Sequence, residues 1–238
     1  MRLGILGDIH GNLEALKTAY QTAIDEGVNK IYHLGDLGGY APFVNEVVDF
    51  LIEHNIEGVQ GNYDEAIAYD RVHCGCKYEN DFQAKMAQLS FEWTKRAVKE
   101  KSKDYMKNLP FSIDLNVNSR KIKIFHATPV KNNIYWYEDR NEKFFLLMAQ
   151  KAKADVMIYG HTHLPYFKKI GSFYFINAGS VGKPKDGDSR TCICIIDINY
   201  HDIKVKFIRK NYDIKKVVDA IIESGLPDYF AEKLVLAK

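Results

Sequence analysis

Short apolar runs alternate with amphipathic stretches over the first 62 residues. Leu3, Ile5 and Leu6 form a run that stops at Gly7-Asp8, which predicts a short strand. Asn12 suits the cap of a helix, and Leu13, Leu16, Ala19, Tyr20, Ala23 and Ile24 follow at helical spacing until Gly27. Residues 31–34 predict a second strand, broken at Gly35-Asp36. Pro42 suits the first turn of a second helix, with Val44, Val47, Val48 and Leu51 on one face. Residues 56–60 predict a third strand, broken at Gly61-Asn62. Strand–helix–strand–helix–strand implies a parallel sheet covered by helices.

The middle of the chain reads differently. Residues 65–108 carry no strand pattern, while Phe82, Met86, Leu89, Trp93 and Val98 suggest helix. A helical cap inserted into the α/β frame is expected there. Strands return at 111–117 and 121–126, then a helix at 143–153 and a strand at 156–159. Residues 166–170 and 173–176 flank Gly171-Ser172, a hairpin signal, and 191–198 with 203–208 make a last hairpin. From Asp213 the chain predicts two helices separated by Gly225-Leu226-Pro227. The early strands read as parallel and the late ones as antiparallel, so two sheets packed face to face are expected. The organisation is one domain over residues 1–238, with the cap at 65–108 and a helical tail at 213–238.

Composition narrows the function classes. A length of 238 residues suits one domain of the α/β class. Lys+Arg 33 against Asp+Glu 31 gives a net charge of +2, which disfavours sequence-independent binding of duplex nucleic acid and with it a nuclease. No stretch approaches the roughly 20 apolar residues of a membrane helix, and the N-terminal apolar run is too short for a signal peptide. The cysteines form two close pairs, Cys74/Cys76 and Cys192/Cys194. A reducing, cytoplasmic setting without disulfides is expected.

Every early strand ends in a polar loop holding a possible metal ligand. The first supplies Asp8 and His10, the second Asp36, the third Asn62 and Asp64. The strand before His126 supplies an imidazole, and residues 156–159 run into Gly160-His161-Thr162-His163. Each residue alone has a plain reading: an Asp after Gly is a turn residue, and a lone His is a hydrogen-bonded core or surface residue. What singles them out is that all fall just past predicted strands, where open α/β sheets bind ligands.

Asp8-x-His10, Gly35-Asp36, Gly61-Asn62-Tyr63-Asp64, His126 and Gly160-His161-x-His163 resemble the five-block signature of calcineurin-like metallophosphoesterases, over residues 2 to about 210. The segments Asp8-Ile9-His10-Gly11-Asn12-Leu13, Asn45-Glu46-Val47 and Gly179-Ser180-Val181-Gly182-Lys183-Pro184 are similar to a prokaryotic branch of small phosphodiesterases. The resemblance implies a four-layer αββα sandwich, two packed mixed β-sheets flanked by helices, with two divalent metals at the sheet edge. By position, Asp8, His10 and His163 hold the first metal. Asn62, His126 and His161 hold the second, and Asp36 bridges them. Carboxylate and imidazole suit manganese, with iron, zinc or nickel as alternatives. Asp64 orients a neighbour. Tyr63 stands where the common signature has His, assigned there to the transition state or the leaving oxygen. Its reference pKa near 10 makes it a weak acid at neutral pH.

The expected activity is hydrolysis of a phosphodiester or phosphoanhydride by metal-bound hydroxide, with Asp36, Asn62, Tyr63 and Asp64 as the catalytic set. A small nucleotide-derived substrate such as a dinucleoside polyphosphate is expected. Trp136, in an aromatic run, is read either as packing or as stacking a base, and Lys183, Lys185 and Arg190 as phosphate ligands or parts of a turn. Between residues 94 and 107 stand six basic and two acidic residues, read as a solvated helix face or an attractor of polyphosphate. His73, Cys74 and Cys76 form a local cluster that could bind zinc, but no second Cys/His pair stands at a structural-zinc spacing, so they are read as incidental loop residues, and Cys192 and Cys194 as strand packing. The alternative function is a catalytically weak scaffold that binds protein partners, motivated by Tyr63.

Overall fold

Successive residues of the first strand go to different layers, and that alternation lays out the molecule. The computed structural model describes residues 1–238. In chain order its elements are β1 (Arg2–Leu6), α1 (Leu13–Asp25), β2 (Lys30–His33), α2 (Val44–Glu53), β3 (Glu57–Gly58), α3 (Asn62–Ala68), α4 (Asp81–Ala97), α5 (Glu100–Asn108) and β4 (Ser112–Val117). There follow β5 (Arg120–Phe125), α6 (Glu142–Ala152), β6 (Val156–Tyr159), β7 (Tyr166–Ile170), β8 (Phe173–Asn177), β9 (Thr191–Ile198), β10 (Ile203–Lys210), α7 (Ile214–Glu223) and α8 (Tyr229–Leu236). Asn12 caps α1 as expected, its side chain accepting the Ala15 N–H.

The strands form two five-stranded sheets, ordered β10-β9-β1-β2-β3 and β4-β5-β6-β8-β7. In the first, β1, β2 and β3 are parallel, and β9 and β10 continue antiparallel from β1. In the second, β5, β6 and β8 are parallel with antiparallel strands at both edges. Each sheet is therefore mixed, whereas the sequence pattern divides early parallel from late antiparallel strands. The last hairpin docks on β1 because β9 is buried on both faces, which an edge position would not allow. Cys194, Ile196 and Ile198 face the second sheet, while Ile193 and Ile195 face α1.

Three apolar layers result. Leu3, Ile5, Tyr32, Cys194 and Ile196 meet Ile122, Ile124, Ile158 and Ile176 between the sheets. Leu6, Ile31, Ile193 and Ile195 meet α1 and α2 outside the first sheet, and Phe91 of α4 and Met106 of α5 join the same cluster. Phe125, Met157, Tyr159 and Phe175 meet α6 outside the second sheet. This is the four-layer αββα sandwich that the sequence implies. Strand β3 is shorter than the apolar run because the Gln60 N–H leaves the sheet for the Pro110 carbonyl.

Trp136 lies in the outer layer of the second sheet and is only 1% exposed. Its ring stacks on Tyr159 at 4.4 Å and packs on Phe145 at 5.2 Å. No face is left for a base, so of its two readings packing is the one the structure supports. Trp136→Ala should lower stability by about 3–5 kcal/mol in urea denaturation, the usual cost of emptying a buried aromatic site. A loss below about 1 kcal/mol would contradict this placement.

Candidate metal centre

The carboxyl ends of the parallel strands in both sheets point to one edge. Loops leaving β1, β2, β5 and β6, together with the first residue of α3 after β3, bring Asp8, His10, Asp36, Asn62, His126, His161 and His163 together there. All seven are at most 3% exposed. Five of them are left-handed: Asp8 at φ 43°, His10 at 49°, Asp36 at 51°, His161 at 67° and His163 at 63°. A non-glycine residue pays steric strain in that region, so five together mark a backbone fixed from outside.

Buried hydrogen bonds do the fixing. The Asp64 carboxylate accepts the N–H of Asp36 at 2.8 Å, of Leu37 at 2.8 Å and of Gly61 at 2.9 Å. The Asp36 carbonyl accepts the His10 N–H at 2.8 Å. The His161 N–H donates to Asp8 Oδ2 at 3.0 Å. Ser180 Oγ donates to the Asp8 carbonyl at 2.7 Å, so the Gly179-Ser180 loop braces β1. Two glycines admit the carboxylates: a Cβ on Gly61 would stand 2.2 Å from Asp36 Oδ1, and one on Gly160 would stand 2.4 Å from Asp8 Oδ2.

The donor atoms fall into two groups, Asp8/His10/His163 and Asp36/His126/His161. His10 Nε2 and His163 Nε2 are 3.1 Å apart, and His126 Nε2 lies 3.2 Å from His161 Nδ1 and 3.0 Å from Asn62 Oδ1. Asp36 Oδ2 stands between the groups, 3.7 Å from His10 Nε2 and 3.6 Å from His126 Nε2. Its other oxygen, Oδ1, is taken by the Tyr63 N–H at 2.9 Å.

Three imidazoles have their tautomer set by a backbone carbonyl. Nδ1 of His10 donates to Gly38, of His126 to Leu34 and of His163 to Lys183, at 2.9, 2.7 and 2.5 Å. Each Nε2 lone pair then faces the site, the arrangement of metal-ligating histidines. Burial holds His10, His161 and His163 well below the usual imidazole pKa, so they are neutral donors. Burial pushes Asp8 up to about 7. Burial, with the charge of Asp64, drives Asp36 well above the usual carboxylate range. Asp8 and Asp36, both raised by burial, hold protons more readily than free carboxyls, and a cation would replace those protons. This chemistry fits divalent metals.

The other predicted residues are placed as follows. Tyr63 is fully buried against Tyr40, Phe91 and His10, and its hydroxyl, near Ser90, meets no partner at hydrogen-bonding geometry. Burial keeps that hydroxyl protonated well above its usual range. Lys183 is buried under the C-terminal helices, with Nζ 4.9 Å over the Tyr40 ring and 3.4 Å from the Lys238 carbonyl. Arg190 is exposed and forks onto Asp188 at 2.9 and 2.6 Å, so the structure favours the turn reading of that residue. Arg190 is turned away from the site, whereas the charge of Lys183 acts on His10 and His163 and that of Lys185 on Asp8 and Asp36. Lys101 and Lys103 pair with Asp49 and Asp70 on the surface. Tyr135 lies 4.3 Å from the His161 ring and stacks on Tyr137 at 5.7 Å, while Tyr40 packs on the His10 ring at 4.7 Å. Cys74 and Cys76 are not incidental: both contact Asn62, one through its carbonyl and one through its thiol. The carbonyls of Leu34, Gly38 and Lys183 escape sequence reading because every residue carries one.

This sheet edge carries two buried His/Asp groups, each of which could hold a metal ion. The calcineurin-like phosphoesterase superfamily domain matches residues 1–201, and the chain belongs to that superfamily. It is a hydrolase acting on phosphoric ester bonds. Among its relatives, the protein MJ0912 of Methanocaldococcus jannaschii is 30% identical, with 99% of this chain and 98% of the relative covered. Phosphodiesterase YfcE of Escherichia coli is 25% identical, over 79% of this chain and 83% of the relative. The crystal structure of a metallophosphoesterase from Sphaerobacter thermophilus superposes with a TM-score of 0.79 at 25% identity, covering 100% of this chain and 99% of that one.

Two outcomes follow from the centre's construction. Asp64→Asn keeps one acceptor oxygen and sets an amide N–H against backbone donors. It should cost about 1–3 kcal/mol per orphaned donor and weaken divalent-metal binding about 10–100-fold, read by denaturation and metal titration. Wild-type stability and affinity in that variant would contradict the bracing role. Because Asp8 and Asp36 hold protons that a cation must displace, metal binding should release protons at about pH 6 and weaken as pH falls through about 7. Calorimetry in buffers of different ionisation enthalpy reads this, and binding without proton release would contradict it.

Proposed function

We propose that this chain is a two-metal phosphodiesterase that cleaves a phosphodiester or phosphoanhydride in a small, nucleotide-derived substrate such as a dinucleoside polyphosphate. The observation that carries the reading is Asp36 Oδ2, set between two complete donor groups at 3.7 and 3.6 Å from their nearest imidazoles. When bound, two divalent ions, manganese first for this donor set, supply Lewis acidity and a water of lowered pKa. Asp8, His10 and His163 would hold one ion, Asn62, His126 and His161 the other, and Asp36 would serve both.

The remaining residues shape the substrate. Lys185 is half-buried and its charge acts on both Asp8 and Asp36, so it is the residue we assign to a substrate phosphate. Tyr135 and Tyr137 present a stacked pair beside His161, and we assign a base to that platform rather than to Trp136. The near-complete burial of the donors favours a small substrate over a duplex. A reducing, cytoplasmic setting agrees with four free thiols.

Tyr63 supplies no proton in this reading, because its hydroxyl is buried and held protonated. Leaving groups that need no proton are then favoured, and rates should fall steeply as leaving-group pKa rises. Asp36→Asn should lose at least about 100-fold of the manganese-dependent hydrolysis of a bis-aryl phosphate, more than the loss of a supporting residue costs. Tyr63→Phe should leave that rate and the slope unchanged. Full activity in Asp36→Asn would overturn the two-metal reading. A changed slope in Tyr63→Phe would return the tyrosine to the chemistry. A metal-loaded protein that turns over no diester or polyphosphate would favour the scaffold instead.

A further inference from the structure

The amide of Asn62 is held by its nitrogen. Nδ2 donates to the Cys74 carbonyl at 3.0 Å and to Cys76 Sγ at 3.2 Å, while Oδ1 faces His126 Nε2 at 3.0 Å. Those two acceptors decide which end of the amide meets the metal centre, because a flipped amide would aim N–H groups at the donor cluster. Cys76 Sγ in turn lies 2.9 Å from Cys74 Sγ, and Cys74 Sγ lies 3.3 Å from the Tyr78 hydroxyl. A disulfide has a sulfur–sulfur length of about 2.05 Å, so the pair is within about 1 Å of bonding distance. Gly75 between them adopts φ 75°, which keeps the chain tightly turned. Cys74 is buried and Cys76 half-buried, so Cys76 is the residue of the pair nearer to solvent. Cys192 and Cys194 differ: both are buried in β9, and Cys192 Sγ is engaged by the Ala178 carbonyl.

We propose that Cys74 and Cys76 form an oxidisable dithiol, a modification site whose state sets the Asn62 ligand. The proposal rests on the reading of Asn62 as a metal ligand. One hydrogen peroxide takes two electrons from the pair. A sulfur–sulfur bond forms, both S–H bonds and the O–O bond break, and the two protons leave with the two oxygens as water. Closing the bond draws Cys76 Sγ toward Cys74 and away from Asn62 Nδ2. The amide loses one of the two acceptors that orient it, and Asn62 would be less firmly fixed as a ligand of the second metal.

The test uses the reduced, manganese-loaded full chain, exposed to hydrogen peroxide and then quenched. Intact mass should fall by two hydrogens, peptide mapping should place the loss at Cys74 and Cys76, and one of two manganese ions should bind at least about tenfold more weakly. Dithiothreitol should restore both readings. Cys74→Ser should show no mass loss, and its manganese affinity should be the same before and after peroxide. Cys192→Ser should respond as the wild type does. A wild-type chain that keeps its two hydrogens would overturn the dithiol. A disulfide that leaves manganese affinity unchanged, while reduced Asn62→Ala binds manganese weakly, would overturn the coupling alone. Wild-type manganese affinity in reduced Asn62→Ala would overturn the ligand reading itself, and the proposal with it.

Discussion

The Asp64 carboxylate is the fixed point of this structure. By accepting three backbone N–H groups it locks the loop after β2 to the start of α3. Asp36 is then held in place and passes the constraint on. Its carbonyl takes the His10 N–H, one carboxylate oxygen takes the Tyr63 N–H, and the second is left free between two imidazole groups. Hydrogen bonds to a charged acceptor contribute about 1.5–3 kcal/mol each, enough to offset local backbone strain. The second sheet is joined through Asp8, which accepts the His161 N–H, and through the His126 imidazole, which donates to the Leu34 carbonyl.

Left-handed backbone at five donor residues costs on the order of 1–3 kcal/mol each. Such strain persists only where the surroundings over-determine it, and here the surroundings are two packed sheets with their loops hydrogen-bonded across the edge. The strain turns side chains inward at the ends of short strands, where an ordinary turn would point them to solvent. Inward placement also buries them, and burial decides their chemistry. His10, His161 and His163 become neutral donors, and Asp8 and Asp36 become groups that exchange their protons for a cation. Rigid, preorganised ligands of this kind suit a reaction in which charge develops on phosphoryl oxygens.

Much of this was legible in the sequence. Strand runs ending at Gly7-Asp8, Gly35-Asp36 and Gly61-Asn62 give both the parallel strands and the donors at their ends, because one glycine-containing turn does both jobs. The sorting of strands into sheets was less legible. The continuous apolar run at residues 192–196 marks a strand but not which strand lies beside it, and only the fold brings β9 to β1. Trp136, Lys183 and Arg190 show a second limit. An aromatic or a basic residue near a site motif has the right chemistry for substrate, yet Trp136 fills a core layer, Lys183 lies under the tail and Arg190 is spent on Asp188. Cys74 and Cys76 show the converse, since a loop 12 residues beyond Asn62 returns to that same side chain, a long-range contact that no local spacing encodes.

The central claim is that two metals sit on either side of Asp36. Anomalous diffraction from crystals of the manganese-loaded protein tests it most directly. Two peaks about 3.5–4 Å apart are predicted, one beside Asp8, His10 and His163, the other beside Asn62, His126 and His161, with Asp36 Oδ2 between them. A single peak, or peaks on surface carboxylates away from Asp36, would contradict it.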